Sequence, residues 1–358
     1  MEAIGGVIGI PAGINNPSID NFEGLNYFEN LEVLIIKKYN LSGGGGTDLI
    51  AKLSGSVFPN LKQLDIRWNG IDGILDVSNI SSTGALEYLY IDGNQLTDVN
   101  GLANHAASMK GARLTPNKIT ALDLSDFIVL EGLVAMADTY EYNYYTFGNS
   151  ANFLTTLTLP TSTVDANGNT IYPSLNYINI NNQMFLTSLD LSDCRSMVKL
   201  QAVHYGEGTT SGATNPVWPS NSTISSVNNP GASGFSQIQM ARCKIDGVAD
   251  FSDLSKLTYL DMVQHKNSQI NIKNGRNEWF THLKVGRDVS IPHLCIQADH
   301  LDCNDPTNGN SVGCFDYSEN NGDWLSNTAA ISWGGSYPYN PSAPTGGVLI
   351  TDQSSCNF

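Results

Sequence analysis

Charge is scarce in this chain. Asp, Glu, Lys and Arg make up 15% of its 358 residues, too few to lace long exposed helices with ion pairs. Asn, Ser and Thr are plentiful instead, and they suit short strands and tight turns. Positive charge is scarcer still: 18 Lys and Arg against 34 Asp and Glu leave a formal net charge of -16, a field that repels nucleic acid and anionic lipid. No run approaches the roughly 18 apolar residues of a membrane-spanning helix, so no membrane insertion is expected. The first twenty residues, MEAIGGVIGIPAGINNPSID, lack the basic start, long apolar middle and small-residue cleavage site of an export leader. Either a leader is removed earlier or export takes another route.

The usual constellations of catalysis are also missing. There is no GxSxG elbow, HExxH, Walker loop or GxGxxG, and the glycine run Ser42–Gly46 lacks the GK[ST] of a phosphate loop and reads as a plain loop. The histidines (His105, His204, His265, His282, His293, His300) show no metal-ligand spacing to one another. DANGN (Asp165–Asn169) starts like a calcium loop, but Thr170 stands where glycine is needed and Asn176 where glutamate is needed, so it reads as a tight turn. Asp299, Asp302 and Asp305, with Asn304 among them, are the remaining oxygen-rich cluster where a tail-stabilising calcium ion would fit. The expectation is a non-enzymatic protein with no cofactor.

Six cysteines are present, four of them (Cys295, Cys303, Cys314, Cys356) within the last 64 residues. Without a CxxC pair they suggest a local disulfide staple in an oxidising compartment rather than zinc. Cys295 with Cys356 and Cys303 with Cys314 is one of three possible pairings. Cys194 and Cys243 sit in apolar positions and read as buried thiols.

One spacing recurs along the chain: apolar residues at positions 1, 4, 6 and 11, and a small polar residue at position 9. LKQLDIRWNGI (Leu61–Ile71), LEYLYIDGNQL (Leu86–Leu96), MKGARLTPNKI (Met109–Ile119) and LNYININNQMF (Leu175–Phe185) carry it best. Further copies start at Leu31, Leu130, Leu154, Met197, Phe235, Leu257 and Phe280. Most starts lie 21 to 25 residues apart, the range of leucine-rich repeats. Positions 4 and 6 alternate as a strand with its apolar side inward, and stacked copies make a parallel sheet. Asn69, Asn94 and Asn117 at position 9 are expected to turn inward and satisfy backbone groups, a structural ladder rather than a site. Later copies carry Asp138, Ser162, Gln183, Cys243, His265 and Asp288 there, so the array is expected to be irregular. Return segments also recur, as ILDVSNI (from Ile74), ALDLSD (Ala121), SLDLSD (Ser188) and VADFSDL (Val248).

These patterns predict a leucine-rich-repeat solenoid: β-rich, with a parallel sheet on the concave face and an irregular convex side with few helices. Residues 1–30 are read as an N-terminal cap, 31–290 as the solenoid with an inserted loop at about 206–223, and 291–358 as a cysteine-bearing C-terminal cap.

FEGLNYFENLEVLII (Phe22–Ile36), the LxxLxLxxNxL copies and LTSLDLSDC (Leu186–Cys194) together resemble the secreted leucine-rich-repeat proteins of Bacteroidetes and, more distantly, bacterial internalins. LCIQADH (Leu294–His300), FDYSENNGDWLSN (Phe315–Asn327) and Cys356 are similar to the cysteine-bearing segment that follows such repeats in flavobacterial surface proteins. The likeness spans roughly residues 19 to 330. It implies an extracellular or cell-surface scaffold for adhesion or ligand binding, without a cofactor. The missing leader and the absence of a sorting domain after Cys356 depart from that family. They leave a virion or surface-filament subunit in a larger assembly as the alternative.

Outward positions 2, 3, 5, 7 and 8 of the eleven copies hold ten of the 18 basic residues but only six of the 34 acids. Charge is thus sorted toward that face. Arg67, Trp68, Tyr88, Tyr90 and Arg113 cluster there, with Tyr177 and Tyr259 farther along. Rigid rings beside arginine favour recognition of a protein or glycan on a cell surface.

Overall fold

Segments as short as LKQLDI cannot bury their apolar side chains alone and do so by pairing with neighbours. The computed structural model describes residues 7–10, 19–39, 41, 44–55, 58–80, 86–137, 154–181, 183, 186, 188–202, 226–228, 235–240, 249–251, 254–261, 269–271, 282–284, 293–295, 316–317, 324–325 and 349–350. The chain forms two compact units, Met1–Phe185 and Leu186–Phe358. Cys243, Cys303, Cys314, Cys356, the calcium candidates Asp299, Asp302 and Asp305, and the loop at 206–223 lie outside the described residues, and of Cys295 only the backbone is described.

Along the first unit come β1 (Val7–Ile10), β2 (Val33–Ile36), α1 (Gly44–Gly55), β3 (Gln63–Asp65), β4 (Asp72–Asp76), β5 (Tyr88–Tyr90), β6 (Gln95–Asn100), β7 (Gly111–Thr115), β8 (Ala121–Asp123), β9 (Gly132–Ala135), β10 (Thr156–Thr158), β11 (Thr163–Val164), β12 (Thr170–Ile171) and β13 (Tyr177–Asn179). Strands β1, β2, β3, β5, β7, β9 and β13 lie side by side in that order in a parallel sheet. The return segments make smaller parallel pairs, β4 with β6 and β8 with β10. The DANGN turn closes the antiparallel hairpin β11–β12, with Asp165 Oδ1 accepting from the backbone N–H groups of Asn167 and Asn169.

In the second unit follow β14 (Ser188–Asp190), β15 (Lys199–Gln201), β16 (Ser226–Asn228), β17 (Gln237–Gln239), β18 (Ala249–Asp250), β19 (Tyr259–Asp261), β20 (Gln269–Asn271), β21 (His282–Lys284), β22 (His293–Cys295), β23 (Asp316–Tyr317), β24 (Trp324–Leu325) and β25 (Leu349–Ile350). Strands β15, β17, β19 and β21 are parallel neighbours, as are β14 with β16 and the series β18, β20, β22, β25. The molecule is therefore β-rich, with a large parallel sheet and few helices. Among the described residues, no helix is long and apolar enough to cross a membrane.

The apolar positions of the recurring segment form the core. Leu61, Leu64, Ile66 and Ile71 are fully buried, as are Leu86, Leu89, Ile91 and Leu96. Four such side chains contribute on the order of 6–12 kcal/mol per segment before the entropy of ordering is charged against them. The return segment repeats its own chemistry. Asp76, Asp123 and Asp190 each accept a hydrogen bond from the backbone N–H two residues on, at Ser78, Ser125 and Ser192. This side-chain turn ends the short strand. Two tight turns then lead the chain back, for example Phe127 N–H to Leu124 O and Leu130 N–H to Phe127 O, repeated as Cys194 to Leu191 and Met197 to Cys194. Cys194 itself is buried, and burial pushes its thiol up to about 12.

Two sequence expectations need correction. The segment from Leu154 is not a copy on the main sheet: its strand β10 pairs with β8, so LTTLTLPT is a return segment, the counterpart of ITALDLSD, and β9 is followed in the sheet directly by β13. Both kinds of segment alternate leucine with polar residues, so the pattern alone does not separate them. The glycine run is not a plain loop either, because Gly44–Gly46 opens α1. A Cβ on Gly45 or Gly46 would run into the carbonyl oxygen of Ile19 or Leu41. Glycine there lets the helix start lie directly on backbone, with Leu49 and Leu53, one turn apart, buried beneath it.

Candidate ligand-binding face of the first unit

Strand alternation sends Leu64, Leu89, Ala112, Leu133 and Ile178 into the core, and the residues on either side of each to the opposite face. Parallel pairing in register then arranges that face in rows. One row reads Gln63, Tyr88, Gly111, Gly132, Tyr177, and the next reads Asp65, Tyr90, Arg113, Val134, Asn179.

A lattice of ion pairs crosses these rows. Arg67 donates through Nε and Nη2 to the two carboxylate oxygens of Asp65, both at 2.9 Å. Lys37 Nζ approaches the same carboxylate at 2.8 Å. Arg113 makes the equivalent pair of bonds to Asp92, both at 3.0 Å, and Arg67 Nε stands 3.9 Å from Asp92 Oδ1. Asp92 thus holds two guanidinium groups together whose like charges would otherwise separate. Arg67 also lies 5.2 Å from the ring centroid of Tyr90, a cation–π distance. The rings of Tyr88 and Tyr90 are 6.1 Å apart and tilted.

Depth separates the charges. The side chains of Asp65 and Asp92 are each 1% exposed, whereas those of Lys37, Arg67 and Arg113 are 34%, 19% and 35% exposed. Burial raises the carboxyl of Asp92 above its ordinary value, against the pull of Arg113 and Arg67. Burial works against the charge on Arg67 too, but the hydrogen bond and charge of Asp65 and the charge of Asp92 outweigh it, so its affinity for the proton rises. Burial likewise raises the phenol of Tyr90. What solvent meets is therefore cation and aromatic ring, with the compensating anions underneath.

The left-handed turn at position 8 fixes the edge of this face. Lys38 and Trp68 have φ of 61° and 62°, and Gly93, the next residue in the series, has 77°. The Trp68 ring rests on Gly93, where a Cβ would collide with it, so Trp68 borders the end of β5 rather than standing out from β3. Behind the turn the asparagines face inward. Asn94 donates to the carbonyls of Ile66 and Ile91 and accepts from the N–H groups of Asn69 and Ile71; Asn69 and Asn117 bridge adjacent strands in the same manner. Gln183 takes over farther on, donating to Ala135 O and accepting from Leu154 N–H.

Of the residues singled out from sequence, Arg67, Tyr88, Tyr90 and Arg113 come together, Trp68 lies beside them, and Tyr177 sits two strands beyond Arg113's strand in the same sheet. Tyr259 belongs to the second unit, where its hydroxyl accepts a hydrogen bond from Gln239, itself bonded to Gln201. Sequence reasoning missed the role of Asp65 and Asp92, which it counted as surface charge. It also missed Gly111 and Gly132. Their signal was in the sequence, as glycine at position 3 of two consecutive copies. Among the described residues no group of three or more His, Cys, Asp or Glu is placed to hold a metal ion. Compared with protein-family models and with curated proteins, the chain matches none.

Proposed function

We propose that this chain is a leucine-rich-repeat solenoid that acts as a non-enzymatic binding or adhesion module, engaging a protein or glycan through the concave sheet face around Arg67, Tyr88, Tyr90 and Arg113, with Trp68 at its edge. The observation that carries this reading is the lattice itself. Buried ion pairs seldom stabilise a fold better than apolar residues would, yet here two carboxylates are sunk beneath the sheet surface to hold arginines in fixed positions. Such fixing removes much of the entropy that binding through long side chains would cost. The 21-to-25-residue spacing, the in-register parallel strands and the inward asparagines support the repeat assignment, as does the resemblance to secreted bacterial repeat proteins.

The test is retention on whole bacterial cells, compared with a variant in which Arg67→Gln, Trp68→Ser, Tyr90→Ser and Arg113→Gln are combined with Asp65→Asn and Asp92→Asn. The asparagines ensure that no carboxylate is left buried and unpaired. Circular dichroism establishes that the variant is folded. Retention is expected to fall at least about tenfold, the effect of losing a single charged contact or more; equal retention of the folded variant rejects this face.

A further inference from the structure

Among the described residues, Gly132 is the open place in the row Tyr88, Gly111, Gly132, Tyr177. Above Gly111 the space is taken: a Cβ there would lie 2.9 Å from Cδ1 of Tyr88 and 3.4 Å from the hydroxyl of Tyr90. Above Gly132 nothing among the described residues lies within 4 Å of such a position. The two tyrosines of β5 therefore lean across β7, and the notch begins where they stop. It runs over β9 to the strand that carries Tyr177. Strands are spaced about 4.8 Å apart, so from the ring above β7 to β13 is roughly 10 Å. That width admits one flat ring. It is too narrow for a helix, whose diameter with side chains is about 10–12 Å before any contact gap is added.

On the Arg113 side of this notch the outward charge is positive, while Glu131, the residue before Gly132, is exposed at the other end of the strand beside the Lys110–Glu87 pair. Arg67 and Arg113 each use Nε and Nη2 on a buried carboxylate, and among the described residues Nη1 of neither takes part in a hydrogen bond. Two such corners, held near each other by Asp92, present donors to an incoming carboxylate. Resting on the proposal that this face binds a ligand, we infer that the ligand is a glycan bearing isolated uronic-acid residues, with a sugar ring seated over Gly132 between Tyr88 and Tyr177 and a carboxylate reaching the Arg113–Arg67 pair. Aromatic walls over a bare backbone floor suit the flat apolar face of a pyranose, and the exposed cations are complementary to its carboxylate. The net charge of -16 on the molecule disfavours densely charged polyanions, and a neutral chain with scattered uronates meets both conditions.

The probes are xylotetraose carrying one glucuronic acid, the same compound as its methyl ester, unsubstituted xylotetraose, and a tetraglutamate peptide, each titrated calorimetrically into the full chain. The uronate probe is expected to bind at least about tenfold more tightly than its ester or the neutral sugar. Gly132→Val fills the notch in a strand that favours valine, and is expected to weaken the uronate probe at least about tenfold while the melting temperature does not fall. No binding of the uronate probe, equal binding of ester and acid, full binding by the valine variant, or a peptide that binds as tightly as the sugar each overturns the glycan assignment. If cell retention is still lost in the six-substitution variant, the binding face stands and only the ligand class falls. If cell retention is unchanged, the face itself falls.

Discussion

Asp92 and His105 bring opposite electrostatic costs into the same unit. Asp92 lies under two arginines although burial raises its carboxyl, an arrangement that costs folding stability and serves positioning. His105 is completely buried; its Nε2 is 3.0 Å from the Val77 carbonyl, which it meets as donor in the neutral ring, and among the described residues its Nδ1 has no partner. Burial lowers its pKa from 6.5, more than the Val77 bond raises it. The unfolded chain therefore takes up a proton that the folded chain resists. The stability attached to His105 is complete above pH 6.5 and is lost as pH falls through 6.5 toward the lowered folded value. Asp92 acts the other way, since a raised carboxyl is relieved by protonation, so the informative quantity is a difference between variants. Urea midpoints are expected to drop between about pH 7.5 and pH 5.5 by more in the wild type than in His105→Gln. Parallel curves would show that His105 does not carry the proton linkage.

At the scale of the element, the asparagine turn decides how one strand is followed by the next. Position 8 is left-handed in Lys38, Trp68 and Gly93, which costs a non-glycine residue roughly 1–2 kcal/mol. Hydrogen bonds of the buried Asn94 to Asn69, Ile71, Ile66 and Ile91 offset that cost. Asn94→Ala leaves two backbone carbonyls and two N–H groups with one partner fewer, and is expected to destabilise the unit by about 3 kcal/mol or more in urea unfolding. A loss within about 0.5 kcal/mol would mean that water replaces the amide without penalty. This ladder was legible in sequence because asparagine at a fixed offset from the apolar positions 1, 4 and 6 has few other uses. The assignment of Leu154 was not legible, because TTLTL and ALDL share a period of two and differ only in which sheet their neighbours offer. Gln183 shows the same limit: its longer side chain reaches a backbone N–H that no spacing rule would connect to it.

For the whole molecule, the net charge of -16 and the cations gathered on one face of the first unit predict selective rather than general affinity for anions. Duplex DNA, with a charge about every 1.7 Å, is expected to remain unshifted by micromolar protein at physiological salt, and a shifted band under those conditions would contradict the field argument. The sequence by itself determined the β-rich character, the parallel stacking, the inward asparagines and the neighbourhood of Arg67, Tyr88, Tyr90 and Arg113, because these follow from local period and from spacing between copies. Only the tertiary structure decided depth and register across strands. It sank Asp65 and Asp92 beneath their arginines, turned Trp68 onto Gly93, sent Leu154 to the return side and left Gly132 open between tyrosines. Those outcomes depend on which residues of neighbouring strands meet, through burial and close contact, and that information is not contained in any one segment.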